Sequence, residues 1–211
     1  MDQNTKKQRV AEAVLDYIDN GESLGIGSGS TVNILIENLS KVKNKIRNVV
    51  SSSVKSTELL EANGFEVSEL RDVGRLTKYI DGADEVNKDL QMIKGGGGAL
   101  TREKILAHNS NQFICIVDDS KKVDMLGKFP LPIEVIPLSR SSVSLELIKH
   151  GGRPVLRENF STDNGNLILD IHNLEIMEPI KLEQTINNIP GVVTNGIFAL
   201  DHANVLLCAS D

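Results

Sequence analysis

Apolar residues recur along the first half of the chain at two alternating periods. Val10, Ala13, Val14, Tyr17 and Ile18 fall at helical spacing within residues 6–19, and Asn20-Gly21 supplies a stop. The short run "SLGIG" reads as a strand. In "STVNILIENLS", Val32, Leu35, Ile36 and Leu39 share one helical face, with Ser30 or Thr31 placed to cap it. "NVVSSS" predicts a strand, "STELLEANG" a helix closed by Gly64, and "FEVSEL" another strand. Residues 76–80, "LTKYI", form a strand that runs into "DGADE"; "ALTREKILAHN" is a helix and "QFICIVDDS" a buried strand. Strands alternating with helices predict an α/β fold, with a mostly parallel sheet covered on both faces.

The pattern changes after "KFPLPIEVIPLS". Residues 131–136 read as a strand, 141–149 as a helix ending at Gly151-Gly152, and "RPVLRE" as a strand. "TDNGN" is a hairpin turn signal before the strand "NLILDIH". A helix in "EPIKLEQTINNI", with Pro179 near its start, and a strand in "GVVTNGIFAL" complete the order βαββαβ, a split βαβ of ferredoxin-like type. The apolar run "NVLLCAS" suits a buried strand of the first sheet. The expected division is therefore residues 1–129 with 200–211 as one domain and 130–199 as a smaller α+β domain.

Composition narrows the partners. The 211 residues are 40% hydrophobic and 25% charged, which is ordinary globular usage. A net charge of −6 argues against nucleic acid and anionic lipid. The absence of Trp and scarcity of other aromatics remove stacking platforms for single strands. The N-terminal "MDQNTKKQRV" has no apolar run of signal-peptide length, and no stretch approaches the roughly 20 apolar residues of a membrane span. Cys115 and Cys208 sit inside apolar runs and read as small core residues, not as a disulfide or a metal site. The expectation is a soluble cytoplasmic protein.

Three polar or glycine-rich loops each follow a strand of the first domain: "GIGSGST" (25–31), "DGADE" (81–85) and "KGGGG" (94–98). In open α/β sheets ligands bind at the carboxyl ends of strands, so these loops should converge. "GIGSGST" is neither a P-loop nor a dinucleotide fingerprint, because its glycines fall at every second position and the next strand ends in serines instead of an acid. It reads either as a tight turn with a helix cap or as a helix N-terminus that takes one phosphate or carboxylate. Asp81 and Asp84 can hold sugar hydroxyls and move protons, can bind a metal given further ligands, or can simply make an Asx-type turn. With no His or Cys nearby, hydroxyl binding is favoured. The run Gly95 to Gly98 is either a flexible loop or a nest of N–H groups for an oxyanion, with Lys94 at its edge. Glu103, in the first or second turn of the next helix, can face the same cavity as a general base. The combination suits a small phosphorylated polyol or sugar and proton abstraction next to a carbonyl, with no redox cofactor. His108, His150, His172 and His202 follow no ligand spacing.

"GIGSGST", "DGADEV", "KGGGGALTREKI", "TDNGN" and "IPGVVTNGIFA" resemble, in order and spacing, the type A ribose-5-phosphate isomerase family. The resemblance implies a Rossmann-like domain with a ferredoxin-like lobe. It implies metal-free, cofactor-free interconversion of ribose 5-phosphate and ribulose 5-phosphate, and a homodimer or homotetramer. By the same resemblance Glu103 is the base that shuttles a proton between C2 and C1 through a cis-enediolate. Asp81 serves ring opening and hydroxyl proton transfer, Asp84 binds hydroxyls, and Lys94 with the amides of Gly95 to Gly98 holds the enediolate oxygens. Substrate contacts are implied for Ser28, Gly29, Ser30, Thr31, Asp81, Gly82, Ala83, Asp84, Lys94, Gly95, Gly96, Gly97 and Lys121, and Lys7 is a candidate for the phosphate. Ser28 stands where threonine is common in the family, and "RENFSTDNGN" is compact where many relatives are longer. A related acyl-CoA transferase and a non-catalytic sugar-phosphate sensor are the other classes. An acidic side chain in the position of Glu103 is what a sensor would not need.

Overall fold

In the computed structural model, which describes residues 2–210, the elements run in chain order as follows. Helix α1 (Gln3–Ala13) leads to strand β1 (Glu22–Ile26), α2 (Ser30–Asn38), β2 (Ile46–Ser51), α3 (Val54–Ala62), the short α4 (Leu70–Val73) and β3 (Leu76–Asp81). Next come the two-residue strands β4 (Glu85–Val86) and β5 (Met92–Ile93), helix α5 (Leu100–His108) and β6 (Ser110–Asp118). The rest is β7 (Leu131–Val135), α6 (Arg140–Lys149), β8 (Arg153–Leu156), β9 (Leu167–His172), α7 (Pro179–Asn187), β10 (Val192–Asn195), β11 (Ile197–Phe198) and β12 (Val205–Ala209). Two compact units result. One holds residues 1–83, 102–121 and 203–211; the other holds 84–101 and 122–202.

The first unit is a five-stranded parallel sheet in the order β12-β6-β3-β1-β2. Leu24, Ile26, Ile80, Ile114 and Ile116 point to one face and form a core with Val10, Ala11, Val14, Leu15 and Ile18 of the N-terminal helix and its extension, and with Val32, Leu35, Ile36 and Leu39. The opposite face carries Gly25, Tyr79 and Phe113. A Cβ on Gly25 would meet Tyr79 at 3.0 Å and Leu106 of α5 at 3.6 Å, so α5 closes that face. The alternation of β3 therefore turns Tyr79 and Asp81 toward α5.

Three sequence expectations change here. The buried stripe of the first helix and its 3-10 extension (Val14–Tyr17) is Val10, Ala11, Val14, Leu15 and Ile18, an i, i+1, i+4, i+5, i+8 arc at helical period, and Ala13 and Tyr17 fall outside that arc and are exposed. "FEVSEL" makes one bridge, Val67 to Val49, and no strand. β12 is an edge strand, half-buried along its length, and not a fully buried one. Cys115 is buried on β6 and Cys208 half-buried on β12, and they form no disulfide.

The second unit contains an antiparallel sheet in the order β10-β7-β9-β8, with α6 and α7 crossing as the βαββαβ order requires. Its core gathers Leu131, Ile133, Val135, Val143, Leu147, Leu169, Ile171 and Ile186. The expected strand "GVVTNGIFAL" is broken into β10 and β11, which belong to different sheets. The break is Gly196, whose N–H donates to Pro132 O at 2.8 Å and whose carbonyl accepts the Lys94 N–H at 2.9 Å. A Cβ there would sit 2.3 Å from Lys94 O, so only glycine permits the approach. The small sheet β11-β5-β4 escapes sequence reading because its strands are two residues long. It also places the division elsewhere than at 129/130 and 199/200: residues 84–101, 122–129 and 200–202 pack with the second unit. The buried Glu85 carboxylate anchors this arrangement by accepting the N–H groups of Gly127 (2.8 Å) and Phe129 (2.5 Å).

Candidate active site

In the first unit, β1 and β3 run side by side with Ile26 opposite Ile80, so the residues that follow them are neighbours. Gly27 N–H donates to Ile80 O at 3.0 Å. A Cβ on Gly27 would lie 1.9 Å from the Asp81 carboxyl carbon, so a side chain there and the carboxylate cannot coexist. Asp81 is fully buried and accepts the N–H groups of Ser28 (3.0 Å) and Gly82 (2.7 Å) and the hydroxyl of Tyr79. The Gly27 carbonyl accepts the Ser56 hydroxyl at 2.8 Å, and Ser53, the N-cap of α3, donates to Ser56. Because a trans peptide points its C=O and N–H in opposite directions, holding the Gly27 carbonyl aims the Ser28 N–H at Asp81.

Glu103 enters the same cluster from α5. It is 3% exposed, and its Oε1 accepts the Ser28 hydroxyl at 2.6 Å. Tyr79 registers both carboxylates. Burial pushes its hydroxyl pKa well above the ordinary value, and the charges of Asp81 and Glu103 push it further, so the phenol stays a neutral donor. The first unit thus brings together Ser28, Asp81 and Glu103, far apart in sequence, around a buried tyrosine that the sequence reading had not included. Its signal was present: Tyr79 lies two residues before Asp81 on a strand, hence on the same face.

Ser30 and Thr31 open α2, but neither caps it. The N-cap is Gly29, at φ +104°, and no side chain occupies the cap position. This corrects the expected cap and leaves the first turn without an intramolecular anion mimic. Lys7 reaches this helix end, its Nζ donating to Ser30 Oγ at 3.0 Å. Lys121 ends a short turn after β6 and makes no hydrogen bond or ion pair with Ser28, Asp81 or Glu103. Its charge acts on the buried Asp118. Burial raises the Asp118 pKa, but the Ser120 hydroxyl and N–H, Gln3 and Lys121 together outweigh it and hold the carboxyl below its ordinary value.

In the second unit, β4 pairs antiparallel with β5, so Asp84 and Lys94 flank the same strand ends; Asp84 N–H donates to Ile93 O at 2.9 Å. Lys94 is 3% exposed, with its ammonium 5.5 Å from the centroid of Phe198. The glycine run is an ordered turn. Gly95 and Gly98 have φ of +104° and +85°, and Gly98 N–H donates to Gly95 O at 2.9 Å. Gly96 N–H donates to Asp84 Oδ2 at 2.8 Å, and a Cβ on Gly96 would meet that carboxylate at 2.6 Å. Of the four N–H groups expected to line a nest, those of Gly96 and Gly98 are therefore engaged within the protein. Those of Gly95 and Gly97 donate to no group among the described residues. Among the described residues, no three or more His, Cys, Asp or Glu side chains are placed to hold a metal ion, and no helix is long and apolar enough to cross a membrane.

Chemically, the first unit offers two buried carboxylates joined through a serine, and the second offers an ammonium with an N–H-lined turn. Comparison with known proteins points the same way. Residues 48–211 match the family described as ribose 5-phosphate isomerase A (phosphoriboisomerase A). The ribose-5-phosphate isomerase A of Buchnera aphidicola subsp. Acyrthosiphon pisum (strain Tuc7) is 53% identical over 207 residues, covering 98% of this chain and 93% of the relative. The crystal structure of ribose 5 phosphate isomerase A from Neisseria gonorrhoeae superposes with a TM-score of 0.98 at 49% identity, covering 100% of this chain and 94% of that one. A D-ribose-5-phosphate isomerase in complex with phospho-erythronic acid superposes with a TM-score of 0.95 at 36% identity, covering 99% and 96%.

Proposed function

This chain belongs to the ribose 5-phosphate isomerase A family and is an isomerase, and we propose that it interconverts D-ribose 5-phosphate and D-ribulose 5-phosphate through a cis-enediolate with Glu103 as the base. Glu103 removes the C2 proton of the open-chain aldose. The electron pair forms the C1–C2 double bond, and negative charge collects on the C1 oxygen. The hydroxyl proton passes from the C2 oxygen to the C1 oxygen, and Glu103 returns its proton to C1, leaving the ketone at C2. No electron leaves the substrate, so no redox partner is required.

Asp81, held by three donors, opens the sugar ring and relays the hydroxyl proton. Lys94 and the N–H groups of Gly95 and Gly97 stabilise the enediolate oxygens, and Asp84 binds a hydroxyl. The uncapped start of α2, with Ser30, Thr31 and Lys7, receives the phosphate; Lys121 is a further substrate contact. The observation that carries the reading is the Ser28–Glu103 hydrogen bond of 2.6 Å inside the cluster that buries Asp81. A serine hydroxyl there orients the carboxylate without supplying a countercharge that would weaken it as a base. The relative that holds phospho-erythronic acid, a phosphorylated acid, supports a phosphosugar ligand. The same reading carries a homodimer or homotetramer in the cytoplasm, measured by light scattering of the purified protein and by fractionation.

The test is Glu103→Gln, assayed with ribose 5-phosphate and no added metal. Turnover should fall by about 10²–10⁴-fold, the usual contribution of a general base. Calorimetric binding of the sugar phosphate should persist. Full activity in Glu103→Gln removes the assigned base. A chelator should leave the parent rate unchanged, and clear loss overturns the metal-free mechanism.

A further inference from the structure

A run of four glycines has little intrinsic preference for any one arrangement of its peptide planes. If the loop at 95–98 donates N–H groups to a reacting oxygen, something else must fix which way those planes face. The second unit contains a candidate outside every motif assigned a role above. Arg157 follows β8, and its Nη1 donates to Gly95 O at 3.2 Å and to Gly96 O at 3.1 Å. Two further donors go to Asp170 on β9, Nε to Oδ2 at 2.9 Å and Nη2 to Oδ1 at 2.5 Å, a two-point carboxylate fork. Its guanidinium also lies 5.2 Å from the centroid of Phe160, whose ring occupies the space a Cβ on Gly98 would need, 2.2 Å from that position.

We propose that Arg157 is a positioning residue for the reaction, fixing two consecutive peptide planes of the glycine loop so that the Gly97 N–H faces away from the protein's own acceptors. The geometry follows from the trans peptide. With the Gly95 carbonyl on Arg157, the Gly96 N–H must point the opposite way, where Asp84 accepts it at 2.8 Å. With the Gly96 carbonyl on the same guanidinium, the Gly97 N–H is turned away in its turn. That N–H donates to no group among the described residues, and a Cβ on Gly97 would meet nothing within 4 Å. Holding two carbonyls and a bidentate carboxylate at once needs a planar five-donor group, which lysine does not offer. The inference rests on the loop serving as an oxyanion nest, as proposed above.

The experiment uses the full chain carrying Arg157→Met, with Arg157→Lys and Asp170→Asn alongside. Two quantities are read: hydrogen–deuterium exchange of the Gly96 and Gly98 amides without substrate, and kcat and KM for ribose 5-phosphate. In Arg157→Met, exchange of both amides should rise at least ~10-fold, and kcat should fall on the order of 10²-fold with KM within ~3-fold, as expected when donors are misplaced by about 1 Å. Arg157→Lys should not restore kcat. Asp170→Asn keeps the guanidinium and relaxes its hold, so it should shift both readouts in the same direction by a smaller factor, and it stands in if Arg157→Met does not fold. Unchanged exchange in the folded variants overturns the positioning role. Raised exchange with unchanged kcat also overturns it, and in that case the fault lies with the loop as an oxyanion nest.

Discussion

Gly27→Ala is the sharpest available perturbation of the carboxylate cluster, because it adds one carbon where the Asp81 carboxyl stands. The new Cβ would lie 1.9 Å from Asp81 Cγ, and ordinary contact begins near 3.4 Å, so the carboxylate must withdraw by about 1.5 Å. It cannot do so and keep its partners. The Ser28 and Gly82 N–H bonds, at 3.0 and 2.7 Å, both end on the same oxygen, and Tyr79 holds the other. Losing a hydrogen bond to a charged group costs about 1.5–3 kcal/mol, and two lost together imply roughly 3–6 kcal/mol. The backbone offers no second source of strain, since Gly27 does not have a positive φ. Urea unfolding should report that loss. Gly97→Ala, whose Cβ meets nothing within 4 Å, is the matched stability control and should stay within about 1 kcal/mol of the parent. Turnover of Gly27→Ala should fall even in its folded fraction, because Ser28, which orients Glu103, is the next residue. A Gly27→Ala protein within 1 kcal/mol of the parent and fully active would refute the proposed crowding of Asp81.

Lys7→Met should raise KM for ribose 5-phosphate by about 10-fold with little change in kcat, the worth of one charge-assisted hydrogen bond to the phosphate; an unchanged KM removes Lys7 from the site. Glu134 is fully buried and accepts from Thr101, Thr162, Asn164 and Asn166, so Glu134→Leu strands four donors and should destabilise by about 2–4 kcal/mol in urea, a loss below 1 kcal/mol being the contrary result. At alkaline pH two groups lower stability together. Burial opposes the Lys78 charge, but the hydrogen bonds and charges of Glu22 and Asp19 outweigh it and raise its pKa above 10.5, so its contribution is intact below 10.5 and lost as pH rises through the folded value. Tyr79, raised well above 10.0 by burial first, keeps its proton in the fold when the unfolded chain has released it, so unfolding free energy should decline from about pH 10 upward. Tyr79→Phe should flatten that slope in urea melts between pH 8 and 11, and an unchanged slope refutes the assignment.

The first unit was legible to the level of single side chains because parallel strands impose a simple rule. Loops after such strands share one edge, and the 2-residue period says which positions face which layer. Ser28 and Asp81 could therefore be grouped from their places after β1 and at the end of β3, and Tyr79 was open to the same reasoning. Glu103 was reached through the loop 94–98, expected to follow a strand of the first domain, whereas that loop follows β5 of the small antiparallel sheet. What the rule does not reach is register between distant antiparallel elements. Asp84 meets Gly96 because Glu85 pairs with Ile93 across strands two residues long, and no local pattern announces strands so short. Arg157 and Asp170 are paired by the β8–β9 hairpin, whose turn was visible as "TDNGN" but whose alignment, with Arg157 N–H on Ile168 O, was not.

This asymmetry has a physical origin in the glycines themselves. A glycine run marks where the backbone must do something a side chain would prevent, so the run at 95–98 stands out in the sequence. Because glycine resists no conformation, the groups that choose one for it must lie elsewhere in the chain. Here they are Asp84 on one side and Arg157 on the other, the latter about 60 residues away. A polar residue that reaches across the chain to hold glycine carbonyls is therefore worth testing as part of the machinery, alongside the residues that carry the chemistry.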